Sequence, residues 1–273
     1  MNCWPSAATP GAIRSRLPKP GVAGPPSILS FSNSMSNYEL FSFATDDALA
    51  EAVASRWLDE LAAQADDPAP YCVALSGGRI AKKLFAAVAE RAPARSVSLG
   101  HVHFFWADER CVPPTDAESN FGLAKAHLLG PLAISPDKIH RVRGEISPKW
   151  AAAEAEAEIC RIALVNRSGQ PMLDLIFLGM GEDGHVASLF PGVLEEAARS
   201  KSVYLPVVAS KPPPQRITIN FAALAAARQV WVLASGAGKE SALRESLSTD
   251  GRTPLARVLA TRAKTMIFAD ITK

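Results

Sequence analysis

An α/β fold, with a mainly parallel sheet carrying helices on both faces in a single domain, is what this sequence predicts. Short apolar runs alternate with helically spaced apolar residues along most of the chain, and several runs are apolar throughout, as strands buried on both faces must be. Glycine-rich turns stand where those strands hand over to helices, the place where such sheets bind ligands.

The elements follow in order. Leu49, Val53, Trp57, Leu58 and Leu61 recur at three and four, which predicts an amphipathic helix from Asp46 to Ala65. Tyr71 to Leu75 is an apolar run that ends at Ser76-Gly77-Gly78, and helical spacing resumes from Ala81 to Arg91. Further strands are expected at 97–106, 139–142, 173–178, 203–208, 216–220, 230–234 and 265–269. Helices are expected at 120–129, 150–165, 221–226, 239–247 and 254–260. The strand ends worth inspecting are Ser76, Asp108, Gly181 and Asn220.

The first 36 residues read differently. No acidic side chain occurs before Glu39, while Arg14, Arg16 and Lys19 stand among Pro, Gly and Ser, a composition unable to bury enough apolar surface to order itself. A disordered tail over 1–36, or an artefact of an upstream start codon ahead of Met35, is the expectation, with an organelle transit peptide as the alternative. Residues 37–273 then form one domain, within the reach of a single core.

Bulk properties exclude several classes. A net charge of +2, with basic and acidic residues interspersed, gives no field for nucleic acid. No apolar run approaches the roughly 18 residues that cross a bilayer. Cys3, Cys72, Cys111 and Cys160 stand far apart without a C-x-x-C pair, which reads as reduced thiols and a cytoplasmic protein.

Four segments carry candidate chemistry. Ser76-Gly77-Gly78-Arg79 joins a buried strand to a helix, which suits a phosphate, and equally an ordinary tight turn. Asp108-Glu109-Arg110 sets three charges at the end of an apolar strand, where desolvation demands pairing or a ligand. Gly179-Met180-Gly181-Glu182-Asp183-Gly184 matches G-x-G-x-x-G in form, but Pro191 cuts short the helix that a dinucleotide site needs, and Tyr204 stands where an acidic residue belongs. That turn presents instead Asp183 and His185, a carboxylate beside the side chain best able to take and return a proton near neutral pH. Arg216, after a proline-stiffened loop, and Lys239, after Gly236 and Gly238, are cations able to hold a phosphate or to serve as surface charge. His101 and His103 share a strand face without a third ligand at metal spacing, so they read as packing.

Taken together, these segments resemble the glucosamine-6-phosphate isomerase/6-phosphogluconolactonase family, and its lactonase branch in particular. The resemblance rests on Ser76-Gly77-Gly78, on Asp108-Glu109-Arg110 with Val112-Pro113 and Ser119-Asn120, and on Gly179-Met180-Gly181 through Asp183-Gly184-His185-Val186-Ala187-Ser188-Leu189-Phe190-Pro191. Lys211-Pro212-Pro213 with Arg216-Ile217-Thr218 completes it. It implies a Rossmann-like fold, no cofactor and no metal, and hydrolysis of 6-phospho-D-glucono-1,5-lactone in the oxidative pentose phosphate pathway. It further implies His185 as general base, Asp183 and Arg110 in support, and Ser76, Gly77, Gly78, Arg79, Asp108, Arg216 and Lys239 as substrate contacts.

The isomerases follow the D-G-H block with an Asn-Glu pair that shuttles protons. Here those positions are Leu189 and Phe190, which favours hydrolysis over the alternatives of amino-sugar phosphate isomerisation or sugar-phosphate sensing. Arg79-Ile80 departs from the small hydroxyl residue and proline usual after Ser-Gly-Gly. The expected partner is a small phosphosugar lactone, bound by a monomer or small homo-oligomer.

Overall fold

Thr45 opens the first long helix with its hydroxyl, which accepts the Ala48 N–H at 3.1 Å. In this computed structural model, which describes residues 29–31, 37–64, 67 and 69–271, that helix follows strands β1 (Leu29–Phe31) and β2 (Tyr38–Ser42) and runs as α1 (Asp46–Ala63). All five of its periodic apolar residues are fully buried. β3 (Tyr71–Leu75), α2 (Arg79–Ala94) and β4 (Val102–Trp106) come next. The chain then leaves the large sheet, forming β5 (Asp108–Arg110), α3 (Asn120–Ala124) and α4 (Pro148–Ile162). β6 (Leu175–Gly179), α5 (Leu194–Arg199), β7 (Tyr204–Val208) and β8 (Gln215–Ile219) follow. The chain closes with α6 (Phe221–Ala226), β9 (Gln229–Ala234), α7 (Glu240–Ser246), α8 (Pro254–Ala260) and β10 (Thr265–Ala269).

Seven strands form the main sheet in the order β1-β2-β10-β9-β6-β3-β4. Every pair is parallel except β1 with β2, so the mainly parallel α/β sheet expected of the sequence is present. An aromatic row crosses it. Phe177, Trp231, Phe268 and Phe41 follow one another over four adjacent strands, with successive ring centroids 5.6, 5.4 and 5.1 Å apart, and Trp57 of α1 meets Phe177 edge-on. Each such pair contributes roughly 0.5–1.5 kcal/mol beyond burial.

A second, antiparallel sheet of β5, β8 and β7 was not readable from the pattern, which placed the 203–208 and 216–220 runs among the strands of one sheet. Ala107 is the junction: its N–H donates to Leu75 at 2.8 Å while its carbonyl accepts the Ile219 N–H at 2.7 Å. The strand expected at 139–142 reduces to one bridge between Ile139 and Phe104. The His140 N–H donates to the Phe104 carbonyl at 2.8 Å, and beyond His140 no further residue of the run pairs with β4. Leu29–Phe31 lies within the stretch whose composition reads as a tail and instead pairs with β2, while residues 1–28 and 32–36 lie outside those described. Among the described residues no helix is long and apolar enough to cross a membrane.

Candidate active site

The carboxyl ends of β3, β4, β6 and β9 meet at one edge of the main sheet, around a cavity of about 580 Å³. Ser76, Gly77, Gly78 and Arg79 enter it from the end of β3 and the start of α2, Asp108 and Arg110 from β5, Arg216 from β8, His185 from the turn after β6 and Lys239 from the turn before α7. Of the ten residues singled out by sequence, Asp183 alone does not line the cavity. It stands behind His185. Asn220, the fourth strand end, is absent from the site because its amide caps α6 and donates to the Ser200 and Ser202 carbonyls.

The turn after β6 is shaped around the imidazole. The Gly181 N–H donates to the His185 carbonyl at 2.9 Å and the Gly184 N–H to the Gly181 carbonyl at 3.1 Å, which closes the bend. Gly184 takes a φ of +74°, open to glycine at no steric cost. A Cβ at Gly181 would lie 2.1 Å from the imidazole ring, so glycine here makes the room that the side chain occupies. His185 Nδ1 lies 2.5 Å from Asp183 Oδ1. Burial opposes ionisation of Asp183, but the hydrogen bond and charge of His185 outweigh it and hold the carboxyl below its usual value. An ionised carboxylate only accepts, so Nδ1 carries a hydrogen, and in the neutral form of the ring the lone pair is then on Nε2. Among the described residues Nε2 has no partner, and the ring borders the cavity.

Asp108 and Arg110 share a face of β5, and Glu109 points away. That division answers the desolvation problem posed by three adjacent charges. Asp108 accepts the Ser188 hydroxyl at 2.7 Å and the Asn120 amide at 3.2 Å. Glu109 is buried with no ion pair among the described residues, and its carboxylate accepts the N–H groups of Arg110, Asn120 and Phe121, each at 2.8 Å. Burial pushes it up to about 7, against the lowering effect of those hydrogen bonds. Gly77 matters to the same wall, because a Cβ there would fall 1.8 Å from the Asn120 amide oxygen.

Six cations line the cavity: Arg79, Lys82, Lys83, Arg110, Arg216 and Lys239. Two carboxylates, Asp46 and Asp108, oppose them, so the cavity favours an anion. Arg110 and Arg216 are register partners on β5 and β8. Burial, then the Arg110 charge, lowers the Arg216 guanidinium from its ordinary value; burial, then Arg79, does the same to Lys239. The Ser76 hydroxyl and Arg110 Nε are buried without a partner among the described residues. A ligand with oxygens on two sides satisfies such a set.

Sequence reasoning missed Asp46, Lys82 and Lys83. Lys83 pairs with Asp46 at 2.9 Å across the α1–α2 contact, and nothing in a helical run of charges marks which of them borders a cavity. His103 pairs with His140, not with His101: Nδ1 of His103 lies 2.9 Å from Nε2 of His140. Only the fold reveals that partner.

Comparison with known proteins places these features in company. The family model for glucosamine-6-phosphate isomerases/6-phosphogluconolactonase matches residues 44–267. A 6-phosphogluconolactonase of Treponema pallidum is 39% identical over 173 residues, which cover 63% of this chain and 70% of that protein. The chloroplastic 6-phosphogluconolactonase 3 of Arabidopsis thaliana is 34% identical over 208 residues, 73% of this chain, and the match spans 63% of its length. A solved structure of 6-phosphogluconolactonase from Trypanosoma brucei superimposes with a TM-score of 0.73 at 26% identity, covering 84% of this chain and 95% of that one.

Proposed function

Because the chain belongs to the glucosamine-6-phosphate isomerase/6-phosphogluconolactonase family, we propose that it hydrolyses 6-phospho-D-glucono-1,5-lactone to 6-phosphogluconate, the place of that reaction being the oxidative pentose phosphate pathway. The observation that carries this reading is the imidazole of His185, fixed by Asp183 on one nitrogen and open to a cation-lined cavity on the other.

In this mechanism Nε2 of His185 takes a proton from water as the water oxygen bonds to the lactone carbonyl carbon. Negative charge gathers on the carbonyl oxygen, where Arg110 of the cavity wall donates to it. Collapse of the tetrahedral intermediate breaks the bond to the ring oxygen, which takes the proton back from the imidazolium. Asp183 orients the ring and supports its charge at the intermediate stage. Ser76 to Arg79, with Arg216 and Lys239, hold the phosphate, and Asp108 accepts from sugar hydroxyls. Anchoring the phosphate fixes the carbonyl against the water, a contribution reaching roughly 10² or more in rate.

Leu189 and Phe190 are both buried and supply no proton relay beside His185, which supports hydrolysis over isomerisation. A cytoplasmic location, read from widely spaced thiols, belongs to the same proposal. The test offers purified protein freshly generated 6-phosphogluconolactone, unphosphorylated gluconolactone and glucosamine 6-phosphate, and follows acid or ammonia release above the buffer rate. The reading requires rapid acid release from the phosphorylated lactone alone. Ammonia release, or equal rates on both lactones, would sink it.

A further inference from the structure

We propose that Phe190 is a positioning residue, a single rigid ring that sets the His185 imidazole and the Arg216 guanidinium relative to one another. This rests on the role given to His185 above and deepens it. The ring centroids of His185 and Phe190 are 4.4 Å apart with an interplanar angle of 39°. The Arg216 Cζ lies over the same benzyl ring, 5.6 Å from its centroid. The proton acceptor and a cation of the cavity wall thus share a neighbour, although one stands on the turn after β6 and the other on β8 of the second sheet.

Phe190 is suited to the task because its own place is fixed. It is 5% exposed, and its extended backbone, φ −84° and ψ 159°, is the conformation that the following Pro191 imposes. The Val193 N–H donates to the Phe190 carbonyl at 3.1 Å, and the Leu189 N–H to the Val186 carbonyl at 2.9 Å, so the bend is tied on both sides of the ring. Arg216 is held at its other side by the proline loop, with Nε donating to Pro213 at 3.0 Å and Nη2 to Pro212 at 3.4 Å. The ring bounds the guanidinium on another side. An aliphatic side chain would fill the volume, but it has no π-face for a guanidinium and no flat surface for an imidazole.

Two substitutions separate positioning from bulk packing. Phe190→Leu keeps an apolar filling and removes the ring; Phe190→Tyr keeps the ring. Aromatic and cation–π contacts of this kind are each worth a few-fold to about tenfold in an equilibrium. The Leu variant should therefore show kcat lower by roughly 10-fold and a KM raised a few-fold, while Tyr stays within about twofold of the parent chain. Combining Phe190→Leu with Arg216→Ala should raise KM by less than the product of the separate effects, since an Arg216 no longer held in place has less to lose.

Proton NMR of the His185 ring gives a readout independent of turnover. Phe190→Leu should weaken the NOEs between the His185 ring protons and Gly181, against which the imidazole sits, and Phe190→Tyr should keep them. Undiminished NOEs in the Leu variant, or kinetics within twofold of the parent, would overturn the positioning role while leaving the lactonase reading intact. A parent chain that does not turn over the lactone would defeat that reading, and the NMR comparison would still decide whether Phe190 orders the imidazole.

Discussion

His185 and His140 each give Nδ1 to a carboxylate, at 2.5 and 2.8 Å respectively, yet only one of them has a nitrogen left over. The second nitrogen of His140 meets His103 at 2.9 Å, and the far nitrogen of His103 lies 3.2 Å from Lys138 Nζ. A lysine cation only donates, so the order of protons along this chain is set: Lys138 to His103, His103 to His140, His140 to Glu158. The His103 and His140 rings lie nearly parallel with centroids 5.1 Å apart, the edge-to-edge arrangement of an in-plane N–H···N bond, and His140 stacks on Phe105 at 4.7 Å. Every nitrogen of that assembly is spent inside the fold, whereas Nε2 of His185 faces a cavity. The same residue type beside a carboxylate is tied up within the fold in one place and, on the function proposed above, free to act in the other, and the difference lies in what surrounds the far nitrogen.

Breaking the open assembly should have the largest effect. Gly181→Ala places a methyl group where the imidazole now sits, 2.1 Å from ring atoms, and should lower kcat by roughly 10², the cost of displacing a catalytic group by about an ångström. Steady-state kinetics check this, with a circular dichroism melt to show that the chain folds. Arg216→Ala should act mainly on KM, raising it by roughly tenfold or more, as loss of a charge-assisted contact to an anion does. A KM that stays put while kcat collapses would move Arg216 from phosphate contact to the oxyanion.

The closed assembly should answer to pH and not to substrate. Burial, followed by the charges of Lys138 and His140, holds His103 down to about 4. Its folded value thus lies below the roughly 6.5 of an unfolded chain. Between pH 6.5 and 4 the unfolded state takes up a proton that the folded state refuses, so acidification through this window costs stability, and none is lost on this account above it. Urea midpoints measured at pH 7 and pH 5 should separate more for the parent chain than for His103→Gln. The smallest effect is reserved for His140→Gln assayed at pH 7.5, where lactone turnover should stay within about twofold of the parent; a tenfold loss would mean that the two assemblies are coupled.

Much of this was legible in the residues. The spacing of Leu49, Val53, Trp57, Leu58 and Leu61 marks α1 because a buried helical stripe has only one period, and the uninterrupted run Tyr71–Leu75 marks a strand with two covered faces. The turn from Gly179 to His185 was legible because a bend needing glycine next to a charged pair has few purely structural uses. Other features leave no local trace. Asp108–Arg110 is too short and too charged to announce a strand, and its partner β8 is more than 100 positions away, so the second sheet was invisible. Lys82 and Lys83 follow helical spacing like any solvated pair, and only the packing of α2 against α1 brings them to the cavity. The role of Gly77 was visible as a turn but not as the space required by Asn120, a contact made across the sheet's edge.

The claim on which the rest depends is that the open nitrogen of His185 moves the proton. Acid release from freshly generated 6-phosphogluconolactone, followed side by side for the parent chain and His185→Ala with the spontaneous rate subtracted, tests it most directly. The expected result is a fall in kcat of roughly 10² to 10⁴, the usual share of general acid–base catalysis, with KM little changed. A variant that keeps turning over at near the parent rate would contradict it.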